Sequence, residues 1–211
     1  DLVILTSTSE LKLLKEAKLD IDFNKVHILG FPLEFDIYFE IRKESRKTKG
    51  ACFVTDLSKI KCPDDILNIT KTLLRVGIDV GLFLSQQCTS SQAFTDIGAT
   101  VYPKMSHTEF IRTISTYKYC ISASTYESLS VSTIEASLVG CIPICPSHSG
   151  FKDWCPESNL FNNSSSILET VKQAKKLSES MLSSYHCYEF FSRLHNLLNE
   201  NEQNSHISAP R

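Results

Sequence analysis

The sequence lacks the long apolar run, the clustered charge and the glycine-rich signatures that mark several large classes of protein. The 211-residue chain has no run of about eighteen apolar residues, so no membrane-spanning helix is predicted. No stripe of Lys and Arg interleaved with aromatics stands out and the formal net charge is -2, so nucleic-acid binding is not indicated. Neither a G-x-G-x-x-G fingerprint nor a P-loop occurs, which argues against the common dinucleotide and NTP sites.

The eight cysteines of the chain include no C-x-x-C pair, and no paired Cys/His spacing fits a zinc site. Several lie in apolar, strand-like runs, among them Cys120, Cys141 and Cys145. Buried, reduced cysteine is therefore favoured over a disulfide framework. The chain starts at Asp1 with no basic segment followed by an apolar one, so no signal peptide is predicted. These features together predict a cytoplasmic protein.

Short apolar runs alternate with segments of helical spacing along most of the chain. Strands are predicted over residues 3–6, 26–29, 51–55, 80–84, 100–102, 119–122 and 141–145. Helices are predicted over residues 7–18, 63–76, 90–97, 106–115, 132–139, 164–177 and 181–199, with a capping box at Ser106 and Glu109. This alternation predicts an α/β fold, a Rossmann-like parallel sheet with helices on both faces. Ligands of such sheets bind at the carboxyl ends of the strands.

The same pattern divides the chain into four parts. Residues 1–49 form an N-terminal or interdomain segment that packs on the sheet domain, and its polar, basic stretch 41–50 is interpreted as a linker or loop. Residues 50–180 form the Rossmann-like domain, which is interpreted as the ligand-binding part. Residues 181–199 form a C-terminal helix, and residues 200–211 form a polar, flexible tail.

The most informative segment runs from a predicted strand end at Ser122, through a loop of small hydroxyl residues, into a helix that starts near Ser132 and stops at Gly140. The first turn of a helix carries unpaired N–H groups and a partial positive charge of roughly half a unit. At the carboxyl edge of a parallel sheet this end suits a diphosphate. Ser132 and Thr133 are therefore interpreted either as caps alone or as caps that also contact phosphate, since both tasks use one geometry.

Two acidic residues flank this helix start. Glu135 lies about one turn inside the helix, where a carboxylate can accept hydrogen bonds from adjacent ribose hydroxyls. Glu127 lies in the preceding loop, where it can reach the hydroxyls of a sugar beyond the phosphates. A plainer interpretation stays open, in which Glu127 is a solvated loop acid and Glu135 is an acid favoured by the helix dipole.

The spacing resembles the signature of retaining GT-B glycosyltransferases, the glycogen-synthase-like and family-4-type enzymes. Their motif is commonly written E-G-F-G-L-x-x-x-E-A-x-A-x-G-x-P. The matching residues here are Glu127, Glu135, Ala136 and Gly140, and Pro143 stands one position later than the proline of the motif. Ser128 and Ser130 replace the two glycines. The resemblance covers nearly the whole chain, and implies the fold of the C-terminal, nucleotide-sugar-binding half of such an enzyme.

The resemblance also assigns roles to site residues. It implies that Glu127 and Lys61 are catalytic. It implies donor-binding roles for Glu135, Ser132, Thr133, Lys59, Tyr102 and Gly150. Lys59 or Lys61 would supply the cation that neutralises the diphosphate, although each is equally interpreted as a surface lysine. Tyr102 begins the loop that meets the base, and Gly150 lets the backbone approach the donor sugar. His148 faces the sugar or is an exposed loop histidine.

The implied activity is transfer of a sugar from a nucleoside-diphosphate sugar to an unknown acceptor, with retention and without metal or other cofactor. The acceptor would bind an N-terminal GT-B domain, supplied by the same precursor or by another chain. An alternative is a catalytically degenerate domain that serves as a structural or interaction module in a larger assembly. The serines of the motif favour it, as does Thr55-Asp56 in place of the family's Gly-Arg pair. A third possibility, another kind of Rossmann-like nucleotide binder, is weakened by the missing phosphate-binding motifs.

Overall fold

The fold is α/β and contains two parallel sheets of unequal size. The computed structural model describes residues 3–29, 31–33, 36–85, 89–183 and 187–207. The strands are β1 (Val3–Leu5), β2 (Val26–Ile28), β3 (Lys49–Thr55), β4 (Val80–Leu84), β5 (Thr100–Tyr102), β6 (Tyr117–Ile121), β7 (Ile142–Pro146) and β8 (Leu160–Phe161). The α-helices are α1 (Thr8–Glu16), α2 (Asp36–Glu44), α3 (Pro63–Arg75), α4 (Gln92–Asp96), α5 (His107–Ile114), α6 (Val131–Leu138), α7 (Ile167–Gln173), α8 (Glu179–Ser183) and α9 (Cys187–Ile207).

Within the described residues, the large sheet has six parallel strands in the order β5-β4-β3-β6-β7-β8. The chain starts this sheet at its centre with β3, adds β4 and β5 on one side, and returns through α5 to add β6 on the other. Neighbouring strands β3 and β6 therefore lead their chains away in opposite directions. Such a topological switch point opens a crevice outside the carboxyl ends of the two strands. The α/β, Rossmann-like fold predicted from the sequence is confirmed.

The large sheet separates two apolar cores. Alternate residues of a strand face opposite sides, so Ala51 and Phe53 join one core and Cys52 joins the other. Helices α3, α4 and α7 cover the first face, and α2, α5, α6 and α8 cover the second. Because both faces are covered, a central strand can be apolar along its whole length, as in β4, where every residue is buried.

Helix α6 is held at its C-terminal end by a glycine and a lysine. Gly140 adopts φ +88, a left-handed conformation that glycine reaches without a steric penalty. The Lys47 ammonium donates to the carbonyl oxygens of Val139 (2.9 Å) and Ser115 (2.6 Å), which lie at the ends of α6 and α5. A cation is favourable there because the last carbonyls of a helix carry partial negative charge. Burial lowers the pKa of Lys47.

Several local predictions are confirmed. Strands β4 and β5 have the predicted bounds, and the predicted capping box begins α5. In that box the Glu109 carboxylate accepts from the Ser106 N–H (3.0 Å), and the Ser106 hydroxyl accepts from the Glu109 N–H (3.4 Å). The box fixes the first turn of α5, so it also fixes the place where His107 enters the helix.

The predicted linker over residues 41–50 is wrong for its first part, because α2 continues to Glu44. Tyr38 and Ile41 lie one turn apart and are buried, while basic residues cover the outer face and hide the helical pattern. The C-terminal helix also differs from the prediction. It is α9, which starts at Cys187 and continues past residue 199 to Ile207, into the segment interpreted as a tail. Residues 208–211 lie outside the described residues.

The small sheet belongs to a βαβ unit that has no core of its own. β1 and β2 pair in parallel around α1, yet no residue of these three elements is buried. The unit is tied to the rest of the chain by polar contacts. Asp153 accepts a hydrogen bond from the Thr8 N–H (2.8 Å) at the start of α1, and Arg193 of α9 donates to the Ile28 carbonyl (2.8 Å).

The cysteines whose side chains the structure describes are free thiols. Most of them are buried, and burial raises the pKa of Cys141 to about 12. The buried free thiols are Cys52, Cys120, Cys141, Cys145 and Cys155, and Cys62 is free and partly exposed. The prediction of buried cysteine is confirmed for these five. Cys88 lies outside the described residues, and the side chain of Cys187 is not described. Among the described helices, none combines the length and apolar character needed to cross a membrane.

Candidate functional site

The candidate site lies at the switch point of the large sheet. Lys61 belongs to the 3-10 turn after β3, and Glu127 belongs to the loop after β6. The Lys61 ammonium forms an ion pair with Oε1 of Glu127, which also accepts from the Ser124 hydroxyl (3.0 Å). Both side chains are partly buried, with exposed fractions of 27% for Lys61 and 16% for Glu127. The structure thus brings together the two residues to which the sequence resemblance gives catalytic roles.

The first turn of α6 combines local caps with open N–H groups. Ser130 precedes the helix, and its hydroxyl shares a 2.8 Å hydrogen bond with the hydroxyl of buried Thr133. The N–H groups of Thr133 and Ile134 return to the Ser130 carbonyl. Within the described residues, the N–H groups of Val131 and Ser132 donate no hydrogen bond, and these two residues are partly exposed. The open donors lie at the positive end of the helix dipole.

Glu135 lies one turn further along α6 and is buried. Its Oε1 accepts from the Tyr38 hydroxyl (2.8 Å) and pairs with Nε2 of His107 (2.8 Å). Tyr38 comes from α2 and His107 is the first residue of α5. Neither contact was predicted. The sequence does indicate that His107 lies near the site, because His107 follows a predicted N-cap at the carboxyl edge of the sheet. Nothing in the sequence connects Tyr38 with Glu135, which lies 97 positions away.

A cleft of about 350 Å³ opens beside this carboxylate. It extends from the ends of β3 and β4 to the loop after β5 and the starts of α5 and α6. Its lining is mostly apolar: Val54, Phe83, Leu84, Ser85, Pro103, Lys104, Met105, His107, Phe110 and Ser132. Of the predicted phosphate contacts, Ser132 therefore faces the cleft, while the Thr133 hydroxyl is bonded to Ser130.

Tyr102 packs behind the cleft. Its hydroxyl accepts from the Lys49 ammonium (2.6 Å) and from the Tyr117 hydroxyl (3.1 Å), whose pKa is raised by burial. Its ring stacks on Phe83, with centroids 4.5 Å apart and planes 13° apart. Phe83 and residues 103–105 line the cleft. The structure thus places the predicted base-contacting loop at the cleft and places the Tyr102 ring behind it.

Gly150 holds the motif loop, residues 122–130 between β6 and α6, against the turn that follows β7. Its N–H donates to the Glu127 carbonyl (2.9 Å), and an added Cβ would lie 1.7 Å from the Ser128 carbonyl oxygen. The neighbouring Ser149 hydroxyl accepts from the Glu127 N–H (3.2 Å). No side chain can be accommodated at position 150, because the two backbones touch there.

The other loop residues are more open. Lys59 is exposed and, within the described residues, makes no ion pair, so the structure brings Lys61 and not Lys59 to Glu127. His148 is exposed, and its Nε2 lies 3.2 Å from the Ser124 carbonyl oxygen.

Left-handed backbone concentrates around the site. In the part of the chain that the structure describes, five non-glycine residues have positive φ, and only Lys18 lies away from the site loops. The other four, with φ between 51 and 60, are Leu57, Cys62, Ser130 and Ser149. Each such residue costs about 1–2 kcal/mol, and strain of this kind clusters at functional sites. Ser130 occupies a motif glycine position and keeps a conformation that favours glycine.

No protein-family model and no curated protein matches the chain. Its structure is similar to that of S. aureus TarM, solved as a mutant with UDP among its ligands (TM-score 0.72, 16% identity, 94% of this chain and 44% of TarM). It is similar to the pneumococcal O-GlcNAc transferase GtfA, solved with UDP and GlcNAc (TM-score 0.72, 14% identity, 95% and 45%). It is also similar to Anabaena HepE, solved with UDP-glucose (TM-score 0.72, 12% identity, 94% and 64%). The chain thus spans less than two thirds of each of these proteins, and it has the fold of the C-terminal half of a retaining GT-B glycosyltransferase.

Proposed function

We propose that the chain is the donor-binding half of a retaining glycosyltransferase and binds a nucleoside-diphosphate sugar at the switch point. One observation carries the proposal: Glu135, the open N-terminus of α6 and the Lys61–Glu127 pair converge on one edge of the sheet. In this proposal they bind the nucleoside, the diphosphate and the sugar of the ligand, respectively.

The nucleoside would occupy the cleft. A volume of 350 Å³ is near the lower end of ligand pockets, which span about 300–1,000 Å³. Phe83, Phe110 and Met105 offer apolar surface to a base, and the Lys104 stem lies beside them. Glu135, hydrogen-bonded to the cleft residue His107, would accept the ribose hydroxyls.

The diphosphate would bind the first turn of α6. The N–H groups of Val131 and Ser132 and the Ser132 hydroxyl are available there, and the helix dipole favours an anion. The Lys61 ammonium would turn from Glu127 toward the phosphates, and exposed Lys59 stands two residues away in the same turn. Charge on the leaving group would thus be stabilised by the helix end and a lysine, without a metal ion.

The sugar would lie over the loop that contains Glu127. When Lys61 engages the phosphates, the Glu127 carboxylate becomes free to accept sugar hydroxyls. Gly150 would serve this arrangement by keeping the next loop in contact with the Glu127 backbone, and His148 would border the same space. Glu127 and Lys61 are therefore the residues we assign to transfer.

The acceptor would bind a second domain or chain. The β1–α1–β2 unit supports this, because a parallel βαβ unit normally buries apolar side chains on its faces and this one buries none. Exposed Ile4, Leu13 and Leu19 offer surface for such a partner. The chains of TarM and GtfA are more than twice as long as the part that matches this chain. Each therefore contains further residues in a number sufficient for a second domain.

Calorimetry with UDP, GDP, ADP and their sugars tests the proposal. We expect one nucleoside diphosphate to bind, and Glu135→Ala to weaken that binding at least tenfold, since a charged hydrogen bond is worth about 1.5–3 kcal/mol. Glu169→Ala, an exposed acid on α7, is the matched control and should bind like the unmodified chain. Failure of every nucleotide to bind would refute the donor site.

A degenerate, non-catalytic module is the second candidate. It is favoured by the fact that both motif acids already have partners within the chain, Glu127 with Lys61 and Glu135 with Tyr38 and His107. Serines at both glycine positions of the motif point the same way. If this candidate holds, the chain binds none of the nucleotides, and Lys61→Met and Glu135→Ala change its stability only.

A further inference from the structure

The contact of Glu135 with Tyr38 and His107 uses only one of its two carboxylate oxygens. Both partners reach Oε1 at 2.8 Å. Within the described residues, Oε2 accepts no hydrogen bond. An ionised carboxylate has about two lone-pair positions on each oxygen, so two donors occupy Oε1 fully. Since the side chain keeps 12% of its surface exposed, Oε2 is the oxygen left for a ligand.

Tyr38 and His107 contact the Glu135 carboxylate from two different environments, the core and the cleft. Tyr38 is 3% exposed and is packed in the core between α2 and the large sheet. His107 is held at the first position of α5 by the capping box and lines the cleft. The two rings also meet edge to face, with centroids 6.3 Å apart and planes at 83°. The carboxylate is thus held between a buried hydroxyl and a cleft-facing imidazole that donates through Nε2.

We infer that Tyr38 and His107 are positioning residues that hold Oε1 of Glu135 so that Oε2 is presented to the ribose hydroxyls of the donor. The inference rests on the proposed function, because it concerns the residue that would bind the ribose. Without its two partners the carboxylate would rotate among several orientations. Ordering it on binding would cost affinity, and a preorganised group avoids that cost.

Removing Tyr38 or His107 as a partner of Glu135 should weaken the binding of nucleotides that carry ribose hydroxyls more than the binding of nucleotides that lack them. A nucleotide that lacks both ribose hydroxyls cannot donate a hydrogen bond to Oε2 of Glu135. Its affinity therefore measures all the other contacts of the nucleotide. The ratio of the affinities of a ribonucleotide and its dideoxy counterpart isolates the contact itself. A substitution that merely loosens the domain lowers both affinities and leaves the ratio unchanged.

The experiment measures, by calorimetry, the dissociation constants of UDP, GDP and ADP and of their 2′,3′-dideoxy counterparts. Tyr38→Phe removes the hydroxyl and keeps the ring in the core. His107→Ala removes the second donor, and His107→Gln restores an N–H at similar reach. Tyr119→Phe is the control, since Tyr119 is a buried tyrosine in the opposite core.

We expect Tyr38→Phe and His107→Ala each to reduce the ribose-to-dideoxy affinity ratio by about threefold to tenfold, the value of one hydrogen bond. His107→Gln should recover part of the ratio, and Tyr119→Phe should not change it. A ratio that stays the same or rises in both Tyr38→Phe and His107→Ala overturns the inference. If the unmodified chain binds none of the six nucleotides, the proposed function fails and the inference fails with it.

Discussion

Lys61 and Glu127, 66 residues apart in the chain, form an ion pair that connects the loops leaving β3 and β6. These strands are neighbours whose connections diverge. The same two loops are also joined by the Ile60 carbonyl, which accepts from the Thr125 N–H (2.8 Å) and from the Thr125 hydroxyl (3.2 Å). Because the Lys61 and Glu127 side chains are mostly removed from water, the pair is screened less than a surface salt bridge. The pair spans the switch point and contains the two groups proposed to act on the ligand.

Breaking the Lys61–Glu127 pair should destabilise the chain in a non-additive way. We expect Lys61→Met and Glu127→Gln to lower the free energy of unfolding by about 1–2 kcal/mol each, because each leaves a partly buried polar partner unpaired. The double variant should lose about 1 kcal/mol less than the sum. Urea denaturation of the four proteins measures this coupling, and strictly additive losses would show that the pair contributes nothing.

Gly150→Ala should damage the motif loop. Its Cβ would lie 1.7 Å from the Ser128 carbonyl oxygen, so one of two packed backbones must move, and we expect a loss above about 2 kcal/mol. Gly98→Ala is the control. It has φ +93 and open space around its Cβ, so it should show only the strain of left-handed backbone, about 1 kcal/mol. Thermal and urea unfolding compare them, and equal losses would contradict the close contact.

Replacing Ser130 should separate backbone strain from hydrogen bonding. Ser130→Ala and Ser130→Gly both lose the hydroxyl that contacts Thr133. Only glycine relieves φ +60, so the glycine variant should be about 1 kcal/mol more stable than the alanine variant. The difference in urea midpoints measures this, and an alanine variant of equal or higher stability would show that the left-handed conformation is not kept.

The contribution of the Cys141 thiol to stability should fall as the pH rises above 9. Burial raises the pKa of Cys141 to about 12 from its ordinary value of 9.0, so between these values the unfolded chain loses a proton that the native chain retains. The stabilisation is complete below pH 9 and decreases by about 1.4 kcal/mol per pH unit above it. Burial also raises the pKa of Cys52 and of Cys145, which adds to the same trend.

Urea denaturation at pH 8, 9 and 10 measures this dependence. The slope should be shallower for Cys141→Ala than for the unmodified chain, whatever the absolute stability of the variant. Identical slopes would contradict the assignment of a proton-retaining thiol to this position.

The regular alternation of the large sheet could be predicted because its signals are local. Strand β4 is an apolar run, α3 has its proline in the first turn, and the capping box at Ser106 fixes α5. The motif acids can also be identified from the sequence, because their spacing resembles the family motif. Their position at the carboxyl edge follows from the fold, because a residue just after a parallel strand is always carried to that edge.

The partners of those acids could not be predicted. Tyr38 lies in a helix whose exposed face is charged, so its two buried residues give a weak pattern. Its contact with Glu135 depends on how α2 packs across α6, which no short segment encodes. The ring of Tyr102 shows the same limit, because the direction of a strand-end side chain is decided by its neighbours Lys49 and Tyr117.

The absence of buried residues in β1, α1 and β2 also bears on how the chain opens. Amide protons of β3 and β6, at the centre of two cores, should exchange with solvent only when the whole sheet unfolds. Those of β1 and β2 need only a local opening, because few apolar contacts are lost when the pair separates. We therefore expect the large sheet to unfold as one cooperative unit and the βαβ segment to open separately from it.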